Sequence, residues 1–128
     1  MAKVPCRQIM VVDDDAFILE VMGELFEPEG IGVVAAESGD ACIAELMNGF
    51  RGVILMDVMM PGKDGWETIG EMIDRGLMEG NVVAMLTAKD IPDKALDPLK
   101  EHVIDYITKP FEADEIVAVV KGYLDYLG

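Results

Sequence analysis

Histidine occurs once in the 128 residues, at His102, and cysteine twice, at Cys6 and Cys42. One imidazole excludes zinc clusters built on His and Cys, and it excludes a His-dependent catalytic triad. The two cysteines stand far apart with no CxxC spacing, which excludes a disulfide framework and points to free thiols. Cations are scarce as well: 10 Lys+Arg face 25 Asp+Glu, for a formal net charge of −15. So acidic a surface repels phosphate backbones and anionic lipid. No direct nucleic-acid binding and no membrane binding are expected, and partners should present a basic patch. No apolar run approaches the roughly 20 residues that span a bilayer. The opening Met1-Ala2-Lys3-Val4-Pro5 has no signal-peptide apolar core, so a cytoplasmic location is expected.

Apolar residues are plentiful by contrast. They make up 52% of the chain, enough for one packed core at this common domain size. Disorder is excluded on the same ground. There is no internal repeat, low-complexity segment or linker, and the expectation is one domain over residues 1–128.

Five short Val/Ile-rich runs occupy residues 9–12, 33–36, 53–56, 82–86 and 103–107. Most are continuous rather than alternating, which suits strands buried on both faces of a parallel sheet. Asp105 interrupts the fifth run and marks it as an edge strand with one exposed face. Helical periodicity fills the gaps. Phe17, Val21 and Leu25 recur with Ile18, Met22 and Phe26 beside them, between a cap at Asp14 or Asp15 and a stop at Pro28 and Gly30. A second helix runs from Ser38 to Asn48-Gly49 and carries Cys42, Ile43, Leu46 and Met47. A third covers 65–75 with Trp66, Ile69, Met72 and Ile73. A short fourth is expected between Pro92 and Pro98. The last carries Ile116, Val119, Val120, Tyr123 and Leu127. Fivefold strand–helix alternation predicts an α/β fold: a doubly wound five-stranded parallel sheet with helices on both faces.

In such sheets ligands bind beyond the carboxyl ends of the strands. The first run stops at Asp13-Asp14-Asp15, the third at Asp57, the fourth at Thr87-Ala88 and the fifth at Thr108-Lys109-Pro110. Taken singly, Asp13 to Asp15 fit a helix N-cap, Asp57 fits a turn and Lys109 fits the surface. Together they crowd carboxylates at one sheet edge. Two like charges about 4 Å apart repel by about 4 kcal/mol at an effective dielectric near 20. Such a cluster needs a hard cation, or one acid must stay protonated. A lysine and a hydroxyl beside it suit a tetrahedral oxyanion such as a phosphoryl group.

Four segments carry a resemblance: Met10-Val11-Val12-Asp13-Asp14-Asp15, Leu55-Met56-Asp57-Val58-Met59-Met60-Pro61-Gly62-Lys63-Asp64-Gly65, Met85-Leu86-Thr87-Ala88 and Asp105-Tyr106-Ile107-Thr108-Lys109-Pro110-Phe111. In order and spacing the chain resembles a two-component response regulator receiver domain of the chemotaxis-receiver kind, over essentially its whole length. The resemblance implies a flavodoxin-like strand order 2-1-3-4-5. It also implies that Asp57 is the phosphoacceptor, taking a phosphoryl group from a histidine kinase or histidine phosphotransfer protein. Asp14, Asp57 and the backbone carbonyl of Met59 would bind Mg²⁺ (or Mn²⁺), with Asp13 acting through a water. Lys109 and Thr87 would hold the phosphoryl oxygens, and Ala88 would leave the pocket open. Asp15 has no implied role beyond capping the first helix.

The resemblance also implies a cis Lys109-Pro110 peptide. It implies a switch in which Thr87 moves toward the phosphoryl group, Tyr106 turns inward, and the surface of the fourth helix, fifth strand and fifth helix changes for an output protein. Met59 and Lys89 stand at positions that tune phosphoryl lifetime, and slow self-dephosphorylation is expected. On this reading the chain is a signalling module rather than an enzyme, monomeric or weakly dimeric on activation. The alternatives are a degenerate scaffold receiver, a small Mg-dependent phosphohydrolase and an FMN binder. Asp13-x-Asp15 superficially resembles a haloacid-dehalogenase motif, but Phe17 stands where Thr or Val is wanted. The acidic triplet would repel an FMN phosphate.

Overall fold

The computed structural model describes residues 7–87 and 98–127. Its strands are β1 (Gln8–Val12), β2 (Gly32–Ala36), β3 (Val53–Asp57), β4 (Val82–Thr87) and β5 (Val103–Thr108). Each apolar run is a strand, extended by at most one residue at an end. The strands form one parallel sheet in the order β2-β1-β3-β4-β5. Helices α1 (Ala16–Phe26), α2 (Gly39–Met47), α3 (Gly65–Asp74) and α4 (Ala113–Leu127) lie between and after them.

Continuous apolar runs are explained by two cores, one on each face of the sheet. Side chains alternate across a strand, so Met10, Val12, Ile54, Met56 and Met85 meet Cys42, Leu46, Ile69 and Met72 of α2 and α3. Ile9, Val11, Val53, Leu55 and Leu86 meet Met22, Phe26, Ile116 and Val120 of α1 and α4. The doubly wound arrangement with helices on both faces is thus present. Cys42 is a free thiol in the first core, and burial, with the nearby Glu45 charge, pushes it up to about 12. Cys6 lies outside the described residues. Among the described residues no helix is long and apolar enough to cross a membrane.

Several expectations need correction. Phe17 and Met47, assigned to buried stripes, are 68% and 61% exposed. The α1 stripe is wide, and only its Met22 and Phe26 side is fully covered. β2 is an edge, as the implied order 2-1-3-4-5 has it, and its continuous run is not buried on both faces: Val33 and Val34 are half-buried and Ala35 exposed. Leu124 joins the buried face of α4, whereas Leu127 is exposed. The fourth helix expected between Pro92 and Pro98 lies outside the described residues but for Pro98, which opens a 3-10 turn, Pro98–His102.

β5 is the other edge, as Asp105 suggested, but Asp105 is not idle. Pairing with β4 shifts register between Val83 and Ala84: Val83 faces Val103 and Ala84 faces Asp105. Ile104 is therefore the extra residue of a bulge, which exchanges the faces of everything after it. Asp105 accepts a hydrogen bond from the Tyr123 hydroxyl of α4 at 2.7 Å. Tyr106 falls on the opposite face, against the core beneath α2 and α3.

Candidate functional site

Because all five strands run the same way, their carboxyl ends share one edge of the sheet. β1 delivers Asp13 there, with its N–H donating to the Ala36 carbonyl at 3.0 Å. Asp15 then caps α1 by accepting from the Phe17 N–H at 2.9 Å. β3 delivers Asp57, and the chain turns at once: the Val58 N–H donates to Leu86 O, and the Gly65 N–H donates to Val58 O at 2.9 Å. Gly62 takes a left-handed φ of 77° inside this turn. A Cβ at Gly65 would lie 2.6 Å from the Asp57 carbonyl oxygen, so only glycine lets α3 start so close to the site. A capping box of Asp64 and Glu67 fixes that start. Lys63 holds the loop from outside by pairing with Asp40 of α2 and Glu71 of α3.

The structure brings Asp13, Asp14 and Asp57 together, with one oxygen of each within 4.8 Å of the others. Asp13 and Asp57 are buried, at 1% and 7% exposure, while Asp14 is open to solvent. Lys109 joins them from the end of β5. Its Nζ donates to Asp13 Oδ2 at 2.9 Å and lies 3.6 Å from Asp57 Oδ1. The Lys109 N–H donates to Thr87 O at 2.8 Å, which ties the ends of β4 and β5. Thr87 is buried beside them, and the Lys109-Pro110 peptide is cis. Ala88 and Lys89 lie outside the described residues.

Three carboxylates against one ammonium leave the site short of positive charge. Burial, then the Asp13 charge and more weakly Asp14, push the Asp57 carboxyl up to about 6; Lys109 and the Met59 N–H pull it back. Burial alone would lower the Lys109 ammonium, but its hydrogen bond and charge contact with Asp13, and then Asp57, hold it above the ordinary range. The donor set is all oxygen, so the site fits a hard divalent cation and not a thiophilic metal.

Around Asp57 and Lys109 opens a cleft of about 580 Å³ whose other walls are apolar: Phe17, Ile18, Val21, Met59, Pro110 and Phe111. Phe17 and Met59 stand out of it, the latter 73% exposed. Residue patterns had cast Phe17 as core. Its place two residues after the acidic triplet, in the first turn of α1, is the signal for a place at the rim. The Asp64-x-x-Glu67 spacing of the capping box is a further signal of this site in the sequence.

The family model of the response regulator receiver domain matches residues 9–121. The chain belongs to that family. The receiver is 34% identical over 118 residues to the phosphate regulon transcriptional regulatory protein PhoB of Escherichia coli (strain K12), covering 92% of this chain and 52% of that protein. It thus spans about half the length of the curated relatives it matches. Among solved structures it is similar to a CheY-like receiver domain protein from Methanospirillum hungatei JF-1. There the TM-score is 0.91 at 39% identity, covering 96% of this chain and 98% of the other. It is also similar to the response regulator TrrA of Thermotoga maritima, solved in complex with Mg²⁺–BeF. That match has a TM-score of 0.76 at 28% identity, covering 92% of this chain and 99% of the other. The order 2-1-3-4-5 and the flavodoxin-like fold of the CheY-like receivers are therefore present. The receiver is a two-component signalling domain rather than a classical enzyme.

Proposed function

We propose that this receiver accepts a phosphoryl group on Asp57 from a phosphohistidine of a histidine kinase or histidine phosphotransfer protein. The observation that carries the reading is the cluster of Asp13, Asp14 and Asp57 with Lys109 bonded into it. An Asp57 oxygen attacks phosphorus in line while the phosphorus–nitrogen bond of the donor breaks, and the imidazole leaves with the bonding pair. Such a transfer asks little covalent work of the protein and much positioning and charge neutralisation. Lys109 meets the charge on the phosphoryl oxygens, and the Thr87 hydroxyl bonds one of them. Asp14, Asp57 and the Met59 carbonyl would hold Mg²⁺ (or Mn²⁺), with Asp13 through a water. The ion would supply the positive charge that lets the carboxylates and the phosphoryl group share one site.

The apolar rim of Phe17, Met59 and Phe111 supports a protein donor, because it offers area that a small phosphodonor does not need. The Met59 thioether, at most a weak acceptor, orients an attacking water poorly, which supports slow self-dephosphorylation; Lys89 completes that tuning pair. Movement of Thr87 toward the phosphoryl group draws on Tyr106 and alters the face made by the segment before β5, β5 itself and α4. A partner protein reads that face. On this reading residues 1–128 act as one cytoplasmic receiver domain, monomeric or weakly dimeric when activated.

The test is intact mass after incubation with acetyl phosphate and Mg²⁺, and separately with a phosphohistidine protein. One added phosphoryl group is expected, dependent on Mg²⁺ and absent in Asp57→Asn. No addition from either donor would leave a scaffold that has lost the chemistry.

A further inference from the structure

Two buried polar atoms have no hydrogen-bond partner among the described residues: Nε1 of Trp66 and the hydroxyl of Tyr106. They belong to neighbouring rings, with centroids 6.4 Å apart and planes tilted by 44°. Tilted aromatic pairs at this separation attract beyond their area burial. A buried hydroxyl without a partner is disfavoured against one that reaches water. The inward place of Tyr106 is therefore held by packing, against the preference of its own hydroxyl. Burial also pushes the phenol up from its ordinary value.

Trp66 is placed to move with the phosphoacceptor loop. It follows Gly65, whose N–H donates to Val58 O and where an added Cβ would lie 2.6 Å from the Asp57 carbonyl oxygen. The capping box of Asp64 and Glu67 fixes the same turn of α3. On the far side the β5 bulge brings Tyr106 onto the ring. A chain of contacts thus runs from Asp57 through Gly65 and Trp66 to Tyr106.

We propose that Trp66 is a positioning residue for the switch: its ring holds Tyr106 on the α3 side of β5 before any phosphoryl group arrives, and it links the Asp57 loop to Tyr106. The inference rests on the phosphotransfer reading above. In two-state terms, Trp66 raises the resting population of the inward arrangement, so less remains for phosphorylation to shift.

The experiment compares the wild-type chain with Trp66→Phe and Trp66→Leu, each checked for folding by circular dichroism. Without donor, nuclear Overhauser contacts between the Tyr106 ring and the core beneath α2 and α3, which all three chains share, report the position of Tyr106. With acetyl phosphate and Mg²⁺, the rate of mass gain is measured across donor concentrations. Wild type should show these contacts. Trp66→Phe keeps a ring and drops the unpartnered N–H, so Tyr106 should stay inward and the rate should not fall. Trp66→Leu should release Tyr106 and slow phosphorylation by about 2- to 10-fold, the range an aromatic pair's extra attraction corresponds to, with donor half-saturation unchanged. A wild-type chain without these contacts overturns the inference. So does Trp66→Leu matching wild type in both readouts, or Trp66→Phe falling as far as Trp66→Leu. A wild-type chain that takes no phosphoryl group overturns the phosphotransfer reading and the inference with it. One that is phosphorylated while the variants contradict the pattern overturns the inference alone.

Discussion

Replacing the Asp57 carboxylate should make the metal-free protein more stable, and the gain should depend on pH. Burial first, and the Asp13 charge second, push the Asp57 carboxyl up to about 6 from an ordinary 3.8. The folded chain therefore holds this proton more tightly than the unfolded chain. Between about pH 4 and pH 6 the folded state binds more protons, so stability falls as pH rises through that window and the loss is complete above it. A shift of about two units at about 1.4 kcal/mol each amounts to about 3 kcal/mol. Asp57→Asn keeps the shape and removes the ionisation, and Lys109 keeps its closer partner, Asp13.

In chelator, variant and wild type should have equal stability near pH 4. The variant should lead by up to about 3 kcal/mol at pH 7.5, roughly 10 °C in melting temperature for a domain of this size. Guanidinium unfolding followed by circular dichroism between those limits measures the difference, and the carboxylates outside the site cancel because both proteins carry them. Saturating Mg²⁺ should shrink or reverse the gap, because an ion held at about 100 times its dissociation constant stabilises the folded wild type by about 2.7 kcal/mol. A difference that stays flat from pH 4 to 7.5, or a wild type that is the more stable at pH 7.5 in chelator, would refute the electrostatic account of the site.

Gly65→Ala should destabilise the chain by about 1–3 kcal/mol, as overpacking does, because its Cβ would meet the Asp57 carbonyl oxygen at 2.6 Å and Met85 Cε at 3.0 Å. Its phosphorylation should also slow, since the Asp57 turn must shift; wild-type unfolding midpoints and mass-gain rates would show that α3 can retreat without disturbing the site. Tyr123→Phe should cost about 1 kcal/mol through loss of the 2.7 Å bond to Asp105. An unchanged urea midpoint would mean that this bond merely replaces an equally good one to water.

Much of this was legible in the residues. Strand positions are legible as continuous Val/Ile runs because strands buried on both faces favour them, and β1, β3 and β4 are such strands. β2 carries a similar run but is only half-covered, at the sheet edge that the implied strand order gives it. Phe17 misled because a helix with apolar residues at 17, 18, 21, 22, 25 and 26 has a stripe wider than the sheet can cover. The candidate site was legible because polar residues ended the apolar runs.

Strand–helix alternation alone determined that these run ends share one edge, since right-handed crossovers return every strand in the same direction. The tertiary structure alone decided how they meet there: the Lys109 ammonium bonding Asp13 across 96 residues of chain, and burial raising Asp57 while leaving Asp14 in water. It alone also decided the faces of β5. Side chains alternate with a period of two, so the single extra residue at Ile104 sends Asp105 to Tyr123 and Tyr106 to Trp66. No local pattern announces that residue, because a bulge is settled by pairing with the neighbouring strand.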